Sequence, residues 1–180
     1  MIALLATLVA PNGARAQEFH QKPKIRALTA FVALDRAKYR DQIVDALHFL
    51  HQLKSACEQA GYEVQTMRIT TQPFPEYTRD LSPEQTIAFF REYNALAMKE
   101  GFDASIGPAM MKDDDNPGEA ALLAQIIAAT TTLEGSVVVA GEDGVHWKAV
   151  RAAAGVVKYL EDNTAHSQGN FNFAATALVP

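Results

Sequence analysis

The apolar and polar positions of this chain alternate between two periods. Lys24–Leu34 (KIRALTAFVAL) reads as a strand, and Ala37–Ala60 follows with Ile43, Leu47, Leu50 and Cys57 at helical spacing, closed by Gly61. Tyr62–Thr71 reads as a second strand, stopped by Pro73 and Pro75. Ser82, Pro83 and Gln85 together predict a capped helix start, running to about Glu100 with Ile87, Phe90 and Met98 inward and Gly101 as its stop. Phe102–Ala109 is a third, weaker strand interrupted by Gly107-Pro108. Asn116-Pro117-Gly118-Glu119 repeats the helix-start grammar, and no charge separates Glu119 from Glu134, which predicts a substantially buried helix.

The closing stretch Gly135–Pro180 gives the clearest unit. Ser136–Ala140 is a β-branched run between glycines, as in a strand buried on both faces. The next segment, VHWKAVRAAAGVVKYLED, predicts a helix with Trp147, Val150, Ala154, Val157 and Leu160 inward, and Phe171–Val179 returns to strand composition. Strand–helix–strand crossovers of this length imply parallel pairing, and parallel sheets are covered by helices on both faces. The fold class is therefore α/β, with five mostly parallel strands alternating with helices.

Composition narrows the picture. A chain of 180 residues with 48% apolar content supports one domain with a full core, placed at residues 23–180. A net charge of −5 and the lack of any Lys/Arg block argue against a nucleic-acid partner or an acidic membrane surface. The single cysteine, Cys57, rules out an internal disulfide and reads as a buried, inert thiol. Residues 1–22 stand apart from the fold. Met1–Ala10 is an apolar run too short to span a membrane, and Ala14-Arg15-Ala16 has the small-x-small form of a cleavage site. No Lys or Arg precedes Arg15, so a secretory signal starting further upstream competes with a non-native or disordered extension. The break at Pro11-Asn12-Gly13 favours the signal. That reading makes the protein exported or periplasmic, with no membrane contact in the mature form; the other leaves it cytoplasmic.

Several segments carry a resemblance. KIRALTAFV, MRITTQPFP, VVKYLEDNT and above all GNFNFAATALVP resemble domain-of-unknown-function family 711. The resemblance implies a fold related to pyruvate formate-lyase and the anaerobic ribonucleotide reductases, a ten-stranded α/β barrel built from two parallel five-stranded halves. It also implies that family members continue beyond Leu178-Val179-Pro180, so that this chain corresponds to an amino-terminal half. The glycyl-radical motif of the wider fold group has no counterpart here.

In parallel α/β folds ligands gather at the carboxyl ends of the strands. Here those loops carry Asp35, then Thr71-Gln72, then Lys112-Asp113-Asp114-Asp115-Asn116, then Glu142, Asp143 and His146. The acidic rim suggests a hard divalent cation (magnesium, calcium or manganese) held by Asp113, Asp115 and Glu142, with a carboxylate or His146, kept neutral by the helix amino terminus, as general base. The bland alternative makes the aspartates a solvated loop, Asp143 the cap of the last helix, and His146 a packing residue. DDDN lacks the alternation of a calcium loop, and Gly141-Glu142-Asp143-Gly144 is too acidic for a phosphate. His48 and His51 read as surface residues. Arg68, inside a strand, either holds a carboxylate of the protein or of a small acid substrate, or faces water at an edge.

Two functions follow. One is an enzyme, or half of one, acting on a small polar metabolite at an acidic mouth. The other is a non-catalytic α/β module that binds a ligand or pairs with another chain, self-associating through the sheet edge after Val179.

Overall fold

Five strands run parallel and are neighbours in sheet order 1-2-3-4-6: β1 (Ile25–Val32), β2 (Val64–Thr71), β3 (Asp103–Met110), β4 (Leu133–Gly141) and β6 (Phe173–Ala177). The two-residue β5 (Gly144–Val145) folds back antiparallel on the end of β4. Between them lie α1 (Tyr39–Gln59), the single turn α2 (Pro75–Thr78), α3 (Pro83–Glu100), α4 (Pro117–Ala128) and α5 (Trp147–Asn163), with a 3₁₀ segment over Ala165–Asn172. The computed structural model describes residues 22–178. The expected signal peptide and the edge at Val179 lie outside the described residues.

Strand order decides which face is covered. When each strand pairs with the next one in sequence, right-handed crossovers all return on the same side. The core shows this. Leu28, Ala30 and Val32 of β1, Met67 and Ile69 of β2, Ala104 and Ile106 of β3, and Leu133 and Val137 of β4 join one apolar cluster with the inward residues of all four long helices. The alternate residues point away from it. Phe31, Thr70, Ser105 and Glu134 face one another in register across four strands, and Phe31 is 82% exposed. The expectation of helices on both faces is corrected: among the described residues they cover one. β4 accordingly alternates over most of its length and starts at Leu133, three residues before the expected run.

The local grammar is largely as read. Ser82 Oγ accepts from the Gln85 N–H while Gln85 Oε1 accepts from the Ser82 N–H, closing the capping box. Gly61 and Gly101 both take left-handed conformations as α1 and α3 end. α4 stops at Ala128, sooner than its uncharged sequence suggested. Asn94 Oδ1 accepts from the Thr131 and Thr132 backbone N–H groups and the Thr132 hydroxyl, holding the threonine run in a turn.

Three packing expectations change. α5 buries Ala149, Ala153, Val156 and Leu160, while Trp147 and Val157 lie outside at 63% and 46% exposure. Its alanines face inward because they let the helix lie close to α4 and β4, leaving the bulkier residues on the solvent side. In α3, Thr86, Tyr93 and Ala97 are buried with Phe90, Met98 is exposed and Ile87 is only half-buried; Cys57 of α1 is half-buried as well. β3 does not break at Gly107-Pro108 but continues with a register shift. Gly107 has φ +74°, and a Cβ there would lie 2.5 Å from the Gln72 carbonyl oxygen. The last strand begins at Phe173, because the preceding residues form the 3₁₀ segment, with His166 and Ser167 both at positive φ.

Candidate active site at the carboxyl rim

The hairpin between β4 and β5 builds the most chemically loaded part of the rim. Gly141 pairs with Gly144, leaving Glu142 and Asp143 as its two turn residues, so this glycine-flanked segment is a tight turn. The chain then enters α5 through His146, whose N–H donates to the Val139 carbonyl at 2.9 Å. The imidazole is tucked inward and only 4% exposed. Its Nδ1 lies 3.2 Å from the Val138 carbonyl oxygen and its Nε2 lies 2.9 Å from Asp143 Oδ1. Gly141 makes room for this pair, since a Cβ there would fall 2.9 Å from Asp143 Oδ1.

Both ring nitrogens therefore face oxygen acceptors. A neutral imidazole has one N–H and would aim a lone pair at one of those oxygens; the imidazolium satisfies both. The hydrogen bond to Asp143 raises the His146 pKa above its ordinary value against the opposing effect of burial, with the Val138 carbonyl and the Asp143 and Asp113 charges adding to the rise. The same hydrogen bond lowers the pKa of Asp143. The direction of that shift runs against the expected neutral ring. The helix terminus does not repel the proton, because a carboxylate already sits on it.

That carboxylate is Asp113. Its Oδ1 accepts from the Lys148 N–H at 2.5 Å and the Ala149 N–H at 3.2 Å, so the loop after β3 caps α5. Asp143, the expected cap, is engaged with His146 instead. Asp115 Oδ2 accepts from the Met111 and Lys112 N–H groups at 2.7 and 2.9 Å, closing its own loop. Glu142 is exposed at the hairpin tip. Asp113, Asp115 and Glu142 are not brought into one ligand set: among the described residues, no group of three or more His, Cys, Asp or Glu side chains could hold a metal ion.

A cavity of about 500 Å³ opens beside the histidine. Met111, Val138 and Leu178 give it apolar walls; Lys112, Glu142, Asp143 and His146 supply its charged and polar groups. Further along the rim, Met111 and Lys112 also line a hollow reaching Asp115 and Glu76, and Glu76 borders another beneath Asp35 and Arg36.

The comparisons give this geometry a family. A family model described as "Uncharacterised ACR (DUF711)" matches residues 19–180. The chain belongs to that family. No curated protein matches it at a significant level.

Other residues of this DUF711 chain form the rim's scaffold. Arg36 makes a two-pronged pair with Asp80 at 2.6 and 2.5 Å and also donates to the Tyr77 carbonyl, which pulls the Asp80 pKa down to about 2. Gln72 bridges the backbone N–H and carbonyl of Leu34 at 2.8 and 2.9 Å, extending the ladder past the end of β1. The buried Thr71 hydroxyl meets Tyr77 Oη at 3.0 Å. Asp35 Oδ1 accepts from the Ala37 N–H in a local turn. Arg68 lies on the helix-free face, away from this rim, where its Nη2 donates to Glu134 Oε1 at 3.2 Å. Its carboxylate partner is thus one of the protein's own. His48 and His51 are exposed on α1, as read. The sequence offered no signal for the Arg36–Asp80, Gln72–Leu34 or Arg68–Glu134 pairings, because each joins residues nearly forty or more positions apart.

Proposed function

We propose that the protein is an enzyme acting on a small polar metabolite held in the rim cavity, with His146 as its proton donor. The observation that carries this reading is the placement of both imidazole nitrogens against oxygen acceptors beside a cavity of about 500 Å³. An imidazolium so held is a positioned general acid. The Asp143 side chain is 69% exposed. It can turn from Nε2 into water and let an oxygen of the substrate take its place. Lys112 adds positive charge for an anionic oxygen, and Met111, Val138 and Leu178 suit a compact apolar body. A singly wound sheet with one bare face is also what half of a ten-stranded barrel would present, so the substrate would be enclosed by further strands.

The test is an amide-resolved NMR titration of the whole chain with butyrate, and with butyramide as its uncharged counterpart. Saturable shifts at Lys112, Val138, Asp143 and His146 that weaken in His146→Gln support the reading. Shifts that map elsewhere, or none, contradict it.

A non-catalytic alternative draws on one observation: among the described residues β6 pairs only with β4, and Ala174, Ala175 and Ala177 are exposed. An edge of this kind invites another chain. Light scattering showing a dimer that Ala175→Pro dissolves favours that reading; a monomer at all concentrations removes it.

A further inference from the structure

The helix-free face holds a second cavity, of about 410 Å³, at the amino-terminal half of the sheet. It is lined largely by polar groups from five strands and the 3₁₀ segment, with Arg68, Ser105, Glu134, Ser136, Asn172 and Thr176 contributing. We infer that this cavity is a binding site for a small hydroxylated carboxylate, anchored by the guanidinium of Arg68 and distinct from the rim site.

Three observations carry the inference. First, Arg68 is underused. A guanidinium has five N–H donors, and this one makes a single hydrogen bond to the described residues, with Nη2 on Glu134 Oε1, while its buried Nε has no partner. A strand-borne cation with spare donors is suited to receive an anion. Second, the wall supplies groups for hydroxyls. The Ser105 and Ser136 side chains make no hydrogen bond to the described residues, and both line the cavity. Third, Arg26 lines the same cavity, so its charges sum to positive although Glu134 occupies one of them. A purely apolar ligand would strand these donors, and a cation would meet two arginines.

The geometry also explains what Glu134 does there. With both side chains one-third exposed, the Arg68–Glu134 pair is weakly stabilising and easily exchanged. Glu134 holds the arginine while the site is empty, and an incoming carboxylate competes with it.

The experiment is a titration of the full chain, followed by amide NMR, with D-glycerate, glycerol and inorganic phosphate as separate probes. D-Glycerate is expected to give saturable shifts at Ser105, Ser136, Asn172 and Thr176, glycerol none, and phosphate much weaker ones. Glu134→Gln removes the competitor and should tighten glycerate by several-fold, whereas a merely structural ion pair would show no gain. Arg68→Met, checked for a native-like spectrum, should abolish the shifts, and His146→Gln should leave them unchanged. Equal binding of glycerol or phosphate, no tightening in Glu134→Gln, or no saturable glycerate shift overturns the assignment. The rim reading is untouched by any of these outcomes, because its probe and its reporting amides differ.

Discussion

Asp113 caps a helix that it does not adjoin in sequence: its carboxylate accepts the backbone N–H of Ala149, thirty-six positions later, together with that of Lys148. The loop after β3 and the start of α5 are thereby tied across the sheet end, next to His146. Removing a cap of this kind costs about 1 kcal/mol. Asp113→Ala is expected to lower the urea unfolding free energy by that amount, and Asp113→Asn, which keeps an acceptor, by less. Asp143→Ala should leave the cap intact. A native-like stability for Asp113→Ala would mean that α5 is held some other way.

The second prediction concerns the close pass of β3 over the end of β2. Gly107 combines a positive φ with a Cβ position 2.5 Å from the Gln72 carbonyl oxygen. Gly107→Ala therefore meets both backbone strain, on the order of 1–3 kcal/mol, and a clash with main chain that cannot rotate away. The loss should be larger than for Gly101→Ala, since Gly101 has a similar φ but nothing within 4 Å of its Cβ position. Comparable losses in chemical denaturation would show that the contact with Gln72 is not tight.

A third prediction goes the opposite way. Tyr93 is fully buried, its hydroxyl has no hydrogen-bond partner among the described residues, and burial pushes its pKa up. Tyr93→Phe removes a desolvated group and keeps the ring packed against Tyr39, Phe89 and Phe102. Stability should stay level or rise by up to about 1 kcal/mol. Phe90→Ala, a few residues away, should cost about 3–5 kcal/mol by opening a cavity. A clear loss in Tyr93→Phe would reveal an acceptor for that hydroxyl.

Period and punctuation were legible in the chain. Ser82 with Gln85, Asn116 before Pro117, and the glycines at 61 and 101 act within one turn of the residues they control, and the structure repeats what they spell. Sidedness was not legible. The apolar run Val137–Ala140 reads the same whether one face or two are covered, and only the order of pairing reveals that the helices share a side. The stripe of α5 was misread for a related reason: large apolar residues draw attention, while the close approach to α4 selected alanines. At the rim, His146 is singled out in sequence but read as neutral, whereas the Asp143 hydrogen bond, with the Val138 carbonyl and Asp113 adding to it, favours the proton once the chain is folded. Arg68 needed β3 threaded between it and Glu134 before its partner could be named.

The paired titration has a definite sign. His146 has a raised pKa, so its contribution to stability is fully present below the ordinary value of 6.5 and fades as pH climbs through the raised value. Asp143 has a lowered pKa, so its contribution is present above 3.8 and fades as pH falls through the lowered value. Asp143→Asn should accordingly lose most Tm relative to wild type in the mildly acidic range between those values. The gap should narrow toward alkaline pH. A gap that widens there would reverse the assignment.

The most direct measurement is the ¹⁵N spectrum of the His146 ring in the whole chain at neutral pH, followed through a titration. The account predicts that Nδ1 and Nε2 both carry protons, with a midpoint above 6.5 that falls in Asp143→Asn. A single protonated nitrogen at neutral pH, with a midpoint at or below 6.5, would contradict it and leave the rim cavity without its acid.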